Sequence, residues 1–174
     1  PGNPTLTATY SGDTNFNTSS GTAPHTINKG ATATTITSDT PDPSVFGQGH
    51  TVTAAVAVTA PAAGIPTGTF TISDGTNSCT TPAISLGTAS CTIPGGTPPG
   101  TPTLTATYSG DANFNTSSGT AAHTINKGAT ATSITADPTN PSVFGQGYAV
   151  TAAVAVIAPA TGTPTGTFTI SDGT

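Results

Sequence analysis

The sequence predicts an all-β protein of packed antiparallel sheets, and three observations carry that prediction. Threonine fills 42 of the 174 positions, and a β-branched side chain suits a pleated strand while losing rotamer freedom in a helix. The helix formers Glu, Arg and Met do not occur, and lysine appears only at Lys29 and Lys127. Apolar and hydroxyl residues alternate: in TLTATY, Leu104, Ala106 and Tyr108 point one way and Thr103, Thr105 and Thr107 the other.

Taken in order from Ala31, strand signals fall at ATATTIT (31–37), HTVTAAVAV (50–58), GTFTIS (68–73), around SCTTPAIS (78–85), and at GTASCTI (87–93), TPTLTATY (101–108) and SGTAAHTIN (118–126). Clusters of Gly, Pro, Asp and Asn divide them. Val52, Ala54, Val56 and Val58 share one face of the second, and Phe70 and Ile72 turn inward in the third before a Ser-Asp-Gly turn. Seven short strands within a 98-residue period describe an immunoglobulin-like sandwich.

That period is explicit in the chain. TLTATYSGD occurs at Thr5–Asp13 and again at Thr103–Asp111, and overlaying residues 1–76 on 99–174 leaves 13 differences in 76 positions. Differences such as Thr14 against Ala112, Pro24 against Ala122 and Ile65 against Thr163 leave the apolar alternation intact. The expected organisation is the last two strands of one unit in residues 1–30, a complete unit in 31–127, and the first three strands of the next in 128–174. A stretch of a longer tandem array is the simpler expectation; the alternative is a subunit whose end fragments pair with those of its neighbours by strand complementation. Units meet through HTINKGATAT without a Gly/Ser spacer, so the joints should be short and stiff. Each unit should add roughly 30 to 40 Å to a rod.

Composition excludes several function classes. The formal charge is −5 and no basic patch exists to neutralise phosphates, so no nucleic-acid partner is expected. No stretch approaches the ~20 apolar residues of a membrane span. Pro1 opens the chain inside the repeat without a basic-then-apolar leader, so an export signal, where one exists, is expected upstream. Charged residues make up 5 per cent, which leaves hydroxyls to cover the surface and trypsin two sites, as suits a long-lived extracellular molecule. Cys79 and Cys91, the only cysteines, read as one disulfide formed across a hairpin in an oxidising compartment, with two free buried thiols as the alternative.

Chemistry-bearing residues are sparse. The aspartates Asp13, Asp74, Asp111 and Asp172 sit in SGD and SDG turns, where they accept backbone N–H bonds, and no catalytic group or cofactor site is expected. Asp111, Asn113 and Asn115 alternate as calcium ligands can, but one carboxylate is little charge for that ion. His25 and His123 read as lone, and His50 gives way to Tyr148 in the second copy, so no metal site is expected. Asn17 and Asn115 each open an Asn-Thr-Ser sequon and are candidate glycosylation sites. Phe16 and Phe114, at the tips of polar loops, either tuck under their own sandwich or offer lateral contacts between rods.

Residues Gly68-Thr69-Phe70-Thr71, Leu86-Gly87-Thr88-Ala89, and LTATYSGDANF at 104–114 with LTATYSGDTNF at 6–16 carry a family resemblance. The sequence resembles the bacterial immunoglobulin-like repeat domains found in tandem in large secreted and surface proteins. The resemblance implies the sandwich fold over the whole period, in modules that serve as stalks, adhesins, filament subunits and appendages to enzymes. The expected function is architectural: a secreted, non-enzymatic filament, sheath or stalk whose partners are copies of itself. The rival is an adhesin or carbohydrate-binding module with a glycan or host-surface ligand; the lack of Trp and the apparent burial of Tyr10 and Tyr108 weigh against sugar binding.

Overall fold

Residues 1–173 are described by the computed structural model; Thr174, the last residue of the expected third segment, lies outside them. Two sheets form the central domain. One has the order β3 (Thr32–Thr40), β5 (His50–Val58), β8 (Thr88–Ile93), and the other the order β10 (Ser117–Ala122), β9 (Thr103–Tyr108), β6 (Phe70–Ser73), β7 (Ser78–Thr80). Every pairing in both sheets is antiparallel.

The period-2 pattern sets what lies between the sheets. Val52, Ala54 and Val56 from β5 and Ile93 from β8 meet Phe70 and Ile72 from β6 and Leu104, Ala106 and Tyr108 from β9. Truncating a buried side chain such as Phe70 to alanine costs about 3–5 kcal/mol, so these few residues outweigh any surface contact of the domain. β7 is shorter than the 78–85 stretch suggests, because Pro82 has no N–H to give a ladder.

The two open edges of the sandwich are closed differently. Cys79 on β7 and Cys91 on β8 form a disulfide with their Cα atoms 6.0 Å apart. These strands lie in opposite sheets, so the bond is an inter-sheet staple and not the within-hairpin link expected from sequence. The reason is register: Ile72 pairs with Cys79 and Val52 with Cys91, which points both sulfurs inward in one core layer. Closing this short loop stabilises the fold by about 3 kcal/mol in the chain-entropy account.

At the other edge, β3 and β10 approach without a backbone ladder. Thr32 Oγ1 donates to Ser117 Oγ at 2.8 Å, and the Thr34 and Ser117 hydroxyls lie 2.7 Å apart. A Cβ at Gly119 would strike the Thr34 carbonyl, so only glycine permits this approach.

A further pair, β4 (Ser44–Val45) and β11 (Ile125–Asn126), was not expected. It runs parallel, with Ser44 opposite Ile125 and Val45 opposite Asn126.

On either side of the domain lies an antiparallel hairpin: β1 (Thr5–Tyr10) with β2 (Ser19–Pro24), and β12 (Thr130–Ala136) with β13 (Thr151–Val156). Leu6 and Tyr10 are 55% and 45% exposed, whereas their counterparts Leu104 and Tyr108 are fully buried. This corrects the expected burial of Tyr10, whose hairpin has no facing sheet among the described residues. The third strand expected within 128–174 is also absent among the described residues. Its counterpart β6 is held between β7 and β9, and residues 168–171 have no such ladder partners.

Gly119 and Gly21 occupy the same place in the repeat, yet a Cβ at Gly21 would meet nothing within 4 Å. Gly119→Ala should therefore lower stability against urea by about 2 kcal/mol, as overpacking does, and Gly21→Ala should stay within about 0.5 kcal/mol. Equal effects would refute the close-approach account.

Candidate functional site at the two ends of the domain

Tyr108 ends β9, and the chain then reverses through Gly110, whose φ of 71° suits glycine. Asp111 fastens the turn. Its Oδ1 accepts the Asn113 and Phe114 N–H groups, both at 2.8 Å. Its Oδ2 accepts the Thr67 N–H at 2.7 Å and the Thr67 hydroxyl at 2.9 Å. The Tyr108 hydroxyl donates to Thr67 O at 2.6 Å and shares its hydrogen with Asp111 Oδ2 at 3.1 Å. The Thr67 N–H first, then the Asn113 and Phe114 amides, hold the Asp111 carboxyl far below the usual carboxylate range. Burial, with the Asp111 carboxylate beside it, pushes the Tyr108 phenol up to about 12. Both carboxylate oxygens are thus occupied by the chain's own donors, which leaves the alternating Asp111, Asn113 and Asn115 a turn and not a cation cradle.

This loop receives the preceding joint. The Gly30 N–H donates to Asn113 O at 2.8 Å, and the Asn115 N–H donates back to Gly30 O at 2.9 Å. Lys29 Nζ donates to Asp111 O at 2.6 Å. Phe114 is 5% exposed and packs against the core, its ring 3.0 Å from where a Gly30 Cβ would sit. It is therefore a wall of the joint and not a lateral contact, because the Asp111 turn folds its ring inward. Phe16, its counterpart, is 67% exposed.

At the opposite end, the Ser44 N–H donates to Thr124 O and the Phe46 N–H to Asn126 O, both at 2.9 Å, fastening β4 to β11. The following segment touches the same corner: Thr161 N–H reaches Phe46 O at 3.3 Å and the Thr161 hydroxyl reaches Gly47 O at 3.0 Å. Gly47, at φ 84°, has no room for a side chain beside Thr161.

Beside this corner two histidines are buried. His50 opens β5 and His123 follows β10, and their rings stack with centroids 3.9 Å apart. His123 Nδ1 lies 2.6 Å from Asp39 Oδ2 at the end of β3, and its Nε2 lies 2.8 Å from Ser44 Oγ. Burial first, then the neighbouring His123, lowers the His50 pKa and favours a neutral ring. In the sequence these histidines stand apart, since positions 39, 50 and 123 form no motif, and only the β3–β5 register and the β10 exit bring them together.

The remaining candidates are dispersed. Asn17 and Asn115 are both exposed, and Asn115 Nδ2 lies 3.4 Å from Lys29 O, at the joint. His25 is exposed.

Because the Asp111 pKa is depressed by folding, its contribution is complete above the unfolded value near pH 4 and is lost as pH falls through the folded value. Asp111→Asn should lower the thermal midpoint at pH 7 by several degrees and flatten the decline of stability below pH 4, read by circular dichroism from pH 2 to 7. An unchanged acid profile would contradict the assignment.

A family model described as a bacterial Ig-like domain (group 3) matches residues 31–126, more than half of the chain. No curated protein matches the chain. The matched range opens one residue before β3 and closes on the last residue of β11, so it coincides with the sandwich and its parallel clasp. The chain belongs to the bacterial Ig-like domain family, group 3.

Proposed function

We propose that this chain is a tension-carrying spacer of an extracellular filament, sheath or stalk, built from tandem, stiffly joined, seven-stranded Ig-like domains whose task is mechanical and not catalytic. The observation that carries the reading is the parallel β4–β11 pair. β4 lies near the start of the domain and β11 at its exit, so tension along the chain pulls two parallel strands in opposite directions. Their backbone hydrogen bonds stand across that pull and must fail together, whereas bonds of a hairpin pulled from one end fail singly.

Four features support the reading. Gly30 donates to Asn113 O and accepts the Asn115 N–H, and these two backbone hydrogen bonds tie the incoming joint to the domain. The Cys79–Cys91 bond staples the far edge and suits an oxidising location outside the cytoplasm. Membership of a bacterial Ig-like family favours a surface or structural module. Near-identical units also present equal surfaces every period, as assembly with copies of itself requires.

Single-molecule stretching tests the proposal. The domain should unfold in one event, and reducing Cys79–Cys91 should lengthen that event by roughly 37 Å, from 12 residues at ~3.6 Å less the 6.0 Å already spanned. Phe46→Pro removes the N–H that reaches Asn126 O, and it should lower the unfolding force well beyond its effect on equilibrium stability. An unchanged force would overturn the shear account. Saturable, ligand-specific signals on a glycan array would replace the architectural role with that of an adhesin.

A further inference from the structure

We infer that Asp39, His50 and His123 form a binding site for a borderline divalent transition-metal ion, with Zn²⁺ the best match. The inference stands apart from the mechanical reading, since the site is defined by its ligands alone. One ligand atom from each of the three residues lies within 4.8 Å of the others. His50 and His123 are 3% and 0% exposed, and the Asp39 side chain is 10% exposed. Two imidazole nitrogens and a carboxylate oxygen are a donor set that suits zinc and not calcium or magnesium.

The second observation is an unmet demand for a partner. Among the described residues, the buried side-chain atoms lacking any hydrogen bond are Asp39 Oδ1 and His50 Nε2, and both belong to this cluster. Buried polar atoms are rarely left so, and a cation held by both residues would give each atom a partner. His123 Nδ1 bonds Asp39 Oδ2 at 2.6 Å, so an ion would replace that hydrogen bond and turn the two rings out of their 3.9 Å stack. Ser44 Oγ lies 2.8 Å from His123 Nε2, which fixes the ring and leaves Nδ1 facing Asp39; an outer partner on the second ring nitrogen is the usual companion of a ligating histidine. Asp42 Oδ1, 3.5 Å from His123 Nδ1 and accepting the Thr124 N–H, adds negative charge beside the site. A bound ion would clasp the end of β3 and the start of β5 to the segment joining β10 and β11.

In the following repeat, Tyr148 stands where His50 does and Asn140 where Asp42 does, and the Tyr148 hydroxyl reaches Asp172 at 3.3 Å. His50→Tyr brings into the domain the residue that stands at this position of the following repeat, and Asp172 is the counterpart of Asp74, which lies within reach of His50 through space. The test is calorimetric titration of the metal-stripped 174-residue chain with zinc chloride at pH 7.5, beside thermal unfolding with and without the metal. The inference predicts one equivalent bound, and a rise of roughly 10 °C in the unfolding midpoint at a hundredfold excess over Kd. Both should be lost in His50→Tyr and Asp39→Asn, each checked for the wild-type circular dichroism spectrum, and kept in His25→Gln. No binding by the parent chain, or equal binding by a folded His50→Tyr variant, would overturn it.

Discussion

The Asp111 carboxylate is the constraint on which the leading end of the domain depends. Its two oxygens gather donors from its own turn and from Thr67, between β5 and β6, so one short side chain fixes two loops at once. The turn then folds Phe114 onto the core, Phe114 walls the space beside Gly30, and Gly30 can dock only because it lacks a Cβ. The first copy separates local from tertiary causes. Asp13 Oδ1 accepts the Asn15 and Phe16 N–H groups at 2.7 and 2.9 Å although the hairpin is exposed on both faces. The turn therefore forms from its own residues, and packing adds the contacts to Thr67 and the burial of Phe114.

Few charges are available to this fold, and its edges show how it manages without them. Edge strands are commonly protected by lysine or by bulges. Here a disulfide closes one edge and a set of Thr and Ser hydroxyls beside Gly119 closes the other. Threonine serves both faces of the problem: its branched carbon favours the strand, and its hydroxyl supplies contacts that backbone ladders do not reach. The buried ionisable cluster of Asp39, His50 and His123 lies at the third vulnerable place, the corner where the chain leaves the domain.

Much of the core was legible in the sequence because strand burial follows period 2. Val52, Ala54, Val56, Phe70, Ile72, Leu104, Ala106 and Tyr108 all fall on the inward face that alternation assigns. What depends on pairing across distance was not legible. Cys79 and Cys91 are near in sequence, but only the register of β6–β7 and β5–β8 shows that their bond crosses the sandwich. A two-residue parallel pair such as β4–β11 leaves no periodic signal at all. The histidine cluster draws on three separate segments, and Phe114 could be placed only once the partners of Asp111 were known. Solvent exposure of Tyr10 shows the limit of alternation itself, since the pattern names a face but not what covers it.

The central claim is that both ends of the domain are fastened as firmly as its core. Amide hydrogen exchange followed by NMR on the whole chain tests it most directly, at Gly30 and Asn115 for the incoming joint and at Ser44 and Phe46 for the parallel clasp. The account predicts that these four amides exchange only through global unfolding, at the same free energy as Val52 and Ile72. Rapid exchange at these positions, while the core amides stay protected, would show ends that open on their own and would contradict it.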